Sequence, residues 1–311
     1  MRFKYLRIIL SIGFLRRTIH FLKRKRLKRS GVSYFDLIKI FIEELSDHNL
    51  IERANNVAFQ FTLAIFPAII FLFTLIPYLP IDNLTEEVMS LLQETMPTSI
   101  YQEAESTIFD ILSKSRGDLL SVGFIFALYF ATNGTSALMT AFNKTYRTRD
   151  SRGFLKAKAI AIGLTFLLAF VLFTSIVLLI VAQQLIYFLE DFGIISDKFE
   201  VYIFIGLRFL AIFFLFQIAI SVIYYWAPAI HKRWHFFNPG SILATFLCLA
   251  ASFGFSFYIN NFGTYNKLYG SIGALIAIMI WFSFLSLFLI VGLQLNVSLE
   301  KARKKNKITA E

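Results

Sequence analysis

The sequence predicts an all-α, polytopic membrane protein with six transmembrane helices and further amphipathic helices on both sides of the bilayer. Three observations predict it. Apolar runs recur at about the 20 residues that a helix needs to cross a membrane. Only 16% of the 311 residues are charged, 57% are hydrophobic and 37 are Phe, with a mean hydropathy of +0.65. A water-facing surface wants about 25–35% charged residues, so much of this surface faces something else. Finally, the connections between apolar runs alternate in charge, as the positive-inside rule requires of a multi-span chain. The runs are too long for the strands of a β-barrel.

Residues 1–30 carry eleven Lys/Arg and no acid and read as a basic cytoplasmic tail with affinity for the membrane surface. The stretch Ile8 to Leu15 is short, is followed at once by Arg16 and Arg17, and lacks a small-residue cleavage site, so a signal peptide is not expected. From Ser33 to Leu45, apolar residues Phe35, Ile38, Phe41, Ile42 and Leu45 recur at helical spacing. Ser33 and Asp36 have capping-box spacing and start that helix. Glu43, Glu44 and Asp47 keep it on the surface.

The first span is expected over about Val57 to Leu79, kinked at Pro67, which removes a backbone donor. Pro80 to Asp118 holds eight acids and two bases. Two short amphipathic helices broken near Pro97 are expected there, forming an outer cap at about 80–118. The second span covers about Leu119 to Phe142 and is unusually polar, with Asn133, Gly134, Thr135, Ser136 and Thr140. The connection Asn143 to Lys158 has six Lys/Arg and one Asp. A long third span follows, about Ala159 to Phe188, then an acidic connection, Glu190 to Glu200. The fourth span, about Val201 to Trp226, contains Arg208 and Gln217. A basic loop around Lys232 and Arg233 leads to the fifth span, opened by Pro239 and Gly240 and ending near Ile259. Asn260 to Tyr269 is a polar turn before the sixth span, about Ser271 to Val297. Residues 301–311 are a second basic tail, so 31–300 form one six-span membrane domain. The order of basic and acidic connections places both termini in the cytoplasm.

The net charge of +11 and pI near 9.7 raise nucleic acid as a partner. The basic residues cluster at span ends and tails, however, where anionic lipid headgroups account for them. Membrane lipids are therefore the expected partners. Cys248 is the one cysteine and lies in a span, which excludes an intramolecular disulfide or a thiolate cluster. His231 and His235 lack the further ligands that a metal requires. No nucleophile elbow, phosphate loop or metalloprotease motif occurs. No catalytic residue, metal or cofactor is expected, and the chain does not read as an enzyme.

Polar residues inside spans are the candidate site, because charge and hydrogen-bonding capacity are costly in hydrocarbon. Arg208 reads either as an anchor reaching the outer interface or as a substrate contact. Asn133, Ser136 and Asn143 fit a cavity lining or, equally, interhelical hydrogen bonds. Tyr265 and Asn266, in the turn after the fifth span, fit a structural turn or a gate or headgroup contact. Gln294, near the end of the last span, fits a contact with another helix or a headgroup, and Gln217 is a further candidate for lining an interior cavity. Convergence of Asn133, Arg208, Gln217 and Tyr265 on one cavity would mark a substrate path, and scatter would favour a scaffold.

The motifs Ala54-Asn55-Asn56-Val57-Ala58-Phe59, Phe66-Pro67, Ala141-Phe142-Asn143-Lys144-Thr145-Tyr146, Tyr224-Tyr225-Trp226-Ala227-Pro228, Pro239-Gly240, Tyr265-Asn266-Lys267-Leu268-Tyr269-Gly270-Ser271-Ile272-Gly273 and Gly292-Leu293-Gln294-Leu295-Asn296 occur in that order. Together they resemble the YihY/BrkB family of bacterial inner-membrane proteins over about residues 33–300. Some members of that family carry the label ribonuclease BN. Ala64 departs from the family's pattern, as does the lack of a tryptophan near Phe130. The resemblance implies six helices and cytoplasmic termini, and it makes a virulence label unsurprising. The leading functional expectation is a transporter or translocation protein for a lipid, small molecule or other envelope component. The alternative is a structural or scaffold protein of the envelope. A membrane-associated ribonuclease is disfavoured, since the chain offers no metal-binding acid cluster.

Overall fold

The computed structural model describes residues 32–46, 49–78, 83–95, 98–191, 198–230, 234–261 and 271–308, with short pieces at 20–21 and 24–25. Every regular element described there is helical. Helix α1 is Tyr34–Leu45. Its N-cap is Ser33, whose Oγ accepts from the amides of Phe35 at 3.1 Å and Asp36 at 3.4 Å, as the sequence spacing predicts. Helix α2, Leu50–Leu75, runs through Pro67 and ends in a 3-10 turn, Ile76–Tyr78. Helices α3, Leu84–Thr95, and α4, Thr98–Ser113, form the expected amphipathic pair. The remaining long helices are α5, Gly117–Tyr146, α6, Phe154–Asp191, α7, Lys198–Trp226, α8, Pro239–Asn261, and α9, Ser271–Ile308.

Six of these helices are long and apolar enough to cross a membrane: α2 and α5 through α9. They pack as a closed ring. α2 lies against α5, α5 against α6, α6 against α7, α7 against α8, α8 against α9, and α9 returns to α2 while also touching α5. The tightest seam is α2 on α5, and small residues permit it. A Cβ added at Gly134 would sit 2.7 Å from the Phe61 ring, and one at Gly123 would sit 3.1 Å from the backbone of Phe71. Polar side chains add cross-links, Arg53 Nη1 to Thr145 Oγ1 at 3.3 Å and Ser283 Oγ to Asn55 Oδ1 at 2.5 Å.

The ends of the helices sort by charge. On one side, here called the basic side, α1, the connection 147–153, residues 227–230 and 234–238 and the end of α9 meet one another. On the opposite side, α3 and α4 are joined by Thr85 Oγ1 to the Leu112 carbonyl at 3.2 Å. Asp110 of α4 pairs there with Lys114 and with Arg116. The Lys114 hydrogen bond holds the Asp110 carboxyl below its ordinary range.

Two sequence expectations need correcting. The helix of the first span begins at Leu50, ahead of the predicted Val57, and Arg53 and Asn55 in that added stretch bond to neighbouring helices. The basic connection also shrinks. The sequence reads Asn143 to Lys158 as a loop, but α5 continues to Tyr146 and α6 starts at Phe154. The turn between them closes on Arg147 in the left-handed conformation, φ 57°. Lys158 therefore belongs to a membrane-crossing helix.

Candidate functional site

Among the described residues, the predicted polar candidates do not meet at one place. They fall into separate groups that differ in how fully their hydrogen bonds are met.

The first group is a latch on the basic side. Asn143 is buried near the end of α5. Its Nδ2 donates to Asp150 at 3.1 Å and its Oδ1 accepts from the Ala229 amide at 2.7 Å. Arg152 pairs with Asp150 at 2.7 Å and donates to the carbonyls of Trp226 at 3.0 Å and Ala227 at 2.9 Å. Those carbonyls close the end of α7, which lacks internal donors there. The hydrogen bonds from Arg152 hold the Asp150 carboxyl below its usual range, despite partial burial that opposes them. Nearby, Gln294 Nε2 donates to the carboxylate of Glu44 at 3.0 Å and to its carbonyl at 3.0 Å. Glu44 also pairs with Lys301 and lies 3.8 Å from Arg147. Gln294 Oε1 is buried without a hydrogen-bond partner. Glu300 completes this side, accepting from Tyr146 at 2.9 Å and from Trp234 at 3.3 Å.

The second group is a buried network joining α7, α8 and α9. Gln217 Nε2 donates to Ser241 at 2.8 Å and Ser221 at 3.1 Å, while its Oε1 accepts from Thr245 at 3.0 Å. Asn238 caps the start of α8, its Oδ1 accepting from the Ser241 amide at 2.8 Å and from Asn296 Nδ2 at 2.6 Å. Asn296 Oδ1 in turn accepts from the Gly240 amide at 2.9 Å. Gly240 and Gly292 let α8 and α9 touch backbone to backbone. A Cβ at Gly292 would meet the Gly240 carbonyl and Tyr224 Oη at 2.5 Å.

The third group lies between α5 and α6. Thr135 Oγ1 donates to the Ala161 carbonyl at 2.9 Å and lies 3.0 Å from Thr165 Oγ1, which fixes the register of the two helices. Beside this seam, Lys158 Nζ donates to Asn133 Oδ1 at 3.2 Å and lies 5.8 Å from the centroid of the Tyr129 ring. Lys158 and Asn133 are half-buried. Asn133 is two residues farther from the basic side than Thr135, and Tyr129 is one turn beyond that. The lysine thus reaches into the span, although a Cα–Cβ bond in α6 tilts towards the basic side. Ser136 and Thr140 extend a polar stripe along α5. Their hydroxyls donate to the carbonyls of Thr132 at 2.7 Å and Ser136 at 2.9 Å. Thr132 Oγ1 is buried without a hydrogen-bond partner.

Arg208 stands apart from all three, its guanidinium 5.6 Å from the Phe209 ring centroid. Tyr265 and Asn266 lie outside the described residues.

A family model described as "Virulence factor BrkB" matches residues 41–311. The chain belongs to the BrkB family. Among relatives of this BrkB-family protein, a Bacillus subtilis (strain 168) protein named "Putative ribonuclease-like protein YfkH" is 32% identical over 268 residues, covering 85% of this chain and 96% of that one. A Tolumonas auensis "UPF0761 membrane protein" is 25% identical over 252 residues, 79% of each chain. No solved structure matches.

The BrkB-family chain has, among its described residues, no group of three or more His, Cys, Asp or Glu that could hold a metal ion. A cleft of about 620 Å³ lies between α8 and α9 and is apolar, lined by Ala250, Gly254, Phe255, Tyr258, Ala277 and Trp281 among others. None of the predicted polar candidates among the described residues lines it. The residue that sequence reading missed is Lys158, because a lysine four residues into a helix looks like part of the preceding basic loop. Its spacing from Lys156, inside an otherwise apolar start to α6, was the available signal.

Proposed function

We propose that this protein is a translocation protein for a lipid or other envelope component. It would sit in a bacterial inner membrane, with α1 and the end of α9 on the cytoplasmic side and α3 and α4 as an outer cap. The charge of the connections supports that orientation. The observation that carries the functional reading is the pair Lys158 and Asn133, a cation and an amide held within two spans beside an open flank of α5. Tyr129, next to them, is 54% exposed. A charged group in a span is costly to maintain, and an exposed polar stripe adds to that cost. Moving a polar headgroup past hydrocarbon is the task that such a stripe serves.

Measurement of leaflet exchange in vesicles reconstituted with the full chain tests the reading. Asn133→Ala should slow exchange of the transported lipid. Folded wild-type protein that exchanges no envelope lipid or solute would sink it.

A scaffold role is the second reading, and a specific observation favours it. Gln217, Asn143 and Gln294 are occupied in bonds to neighbouring helices and connections rather than facing a shared cavity. Capture of a stable envelope partner by the α3–α4 cap, with no lipid exchange, would favour this role.

A further inference from the structure

Lys158 differs from the cations that hold carboxylates at the two ends of the bundle. Arg152 has Asp150 at 2.7 Å, Lys304 has Glu300 at 3.0 Å, Lys301 has Glu44, and Lys114 and Arg116 share Asp110. Among the described residues, Lys158 meets an amide oxygen and an aromatic face and no carboxylate. An ammonium carries three donors, and the contact with Asn133 uses one. The Nδ2 of Asn133 has no described acceptor either. An ammonium and an amide NH2 therefore lie side by side, and the partners described for the ammonium are neutral. Removal of a charge from water without a counter-charge is strongly unfavourable.

The place is open on one side. Tyr129 is 54% exposed, and one turn away on α5 Ile125 is 62% and Phe126 51% exposed. These side chains belong to a span, so the opening faces lipid rather than water. A group that satisfies the donors has to be anionic, rich in acceptors and attached to something at home in hydrocarbon.

We infer that Lys158 and Asn133 hold the phosphate of an anionic membrane lipid, which enters along the exposed flank of α5. Phosphate oxygens accept from the ammonium and the amide together, Tyr129 borders the headgroup, and Ser136 and Thr140 continue the polar stripe towards the basic side. The inference rests on the translocation reading above and names its substrate class.

The test uses the full chain in nanodiscs of phosphatidylcholine, with or without phosphatidylglycerol, and native mass spectrometry to count retained lipids. Wild type should retain phosphatidylglycerol preferentially. Lys158→Gln should lower that preference roughly tenfold, the size expected for a lost charged hydrogen bond, and Lys158→Arg should keep most of it. Asn133→Asp supplies an internal carboxylate to Lys158, so it should abolish the preference while leaving the protein folded. An unchanged preference in Lys158→Gln or Asn133→Asp overturns the inference. An equal loss in Lys156→Gln, an exposed neighbour, also overturns it, because general surface charge would then be the cause. Displacement of the lipid by inorganic phosphate reassigns the site to a free ion and overturns the lipid assignment. Phosphatidylglycerol retention without leaflet exchange keeps the site and removes the translocation reading. Exchange of phosphatidylcholine at an equal rate in wild type and Lys158→Gln, with no phosphatidylglycerol preference, does the reverse.

Discussion

The Gln217 network and the Lys158 pair are both polar, both inside membrane-crossing helices, and built in opposite ways. Gln217 is 3% exposed, and both ends of its amide are bonded by Ser221, Ser241 and Thr245. Every group faces a neighbour on another helix or one turn away. Lys158 is half-buried, meets neutral partners and borders an open flank. The contrast teaches that polarity within a span does not by itself mark function. Saturated polar groups hold helices together, and groups with donors to spare are where binding is to be tested.

The largest expected effect lies at the saturated end. Gly240→Val drives side-chain atoms into the Gly292 carbonyl and Asn296, both of which are fixed by the α8–α9 contact. Overpacking costs about 1–3 kcal/mol or more, and here it also breaks the hydrogen bond from the Gly240 amide to Asn296. Loss of monodisperse protein on size exclusion in detergent is the expected outcome, and a normal elution profile would show that the backbone approach is unimportant.

Gln217→Leu comes next. It leaves Thr245 and the serines without their shared partner, a cost of about 1–3 kcal/mol for unsatisfied buried groups. The thermal unfolding midpoint in detergent should fall, while lipid preference stays as in wild type. A shift in preference with unchanged stability would dissolve the contrast between the two regions.

Lys158→Gln should behave in the opposite way. Its stability should stay within about 0.5 kcal/mol of wild type, as for substitutions that break no saturated contact, while lipid preference falls. A large drop in the unfolding midpoint would move Lys158 to the structural class.

The smallest effect is one of pH. Arg152 holds the Asp150 carboxyl below its ordinary value, so the unfolded chain takes up this proton first as pH falls. The latch therefore contributes its full stability above the ordinary aspartate range, near pH 4. That contribution is lost as pH drops from there through the depressed value. Asp150→Asn should remove this acid-side step from a plot of unfolding midpoint against pH and leave the remainder parallel to wild type. An identical acid limb in both proteins would mean that the latch does not titrate.

Much of the fold was legible before any coordinates. Six spans, the Ser33 cap and the two amphipathic helices around Pro97 follow from local composition and spacing. The candidate site was only partly legible. Asn133 was correctly singled out as a polar residue in a span, but its partner Lys158 was assigned to a loop. Asn143, Gln217 and Gln294 drew attention for the same reason as Asn133, yet all three are bound to distant segments. Gln294 reaches Glu44, 250 residues away, and Asn143 reaches Ala229, 86 residues away. No local pattern encodes such distances.

The sequence by itself determined that this chain crosses a membrane six times and which connections lie together, because hydrophobic length and charge act segment by segment. The tertiary structure alone decided which polar residues are consumed and which are left with capacity. That outcome depends on the rotation and register of one helix against another. A single turn of α6 relative to α5 would separate Lys158 from Asn133 without altering one apolar run.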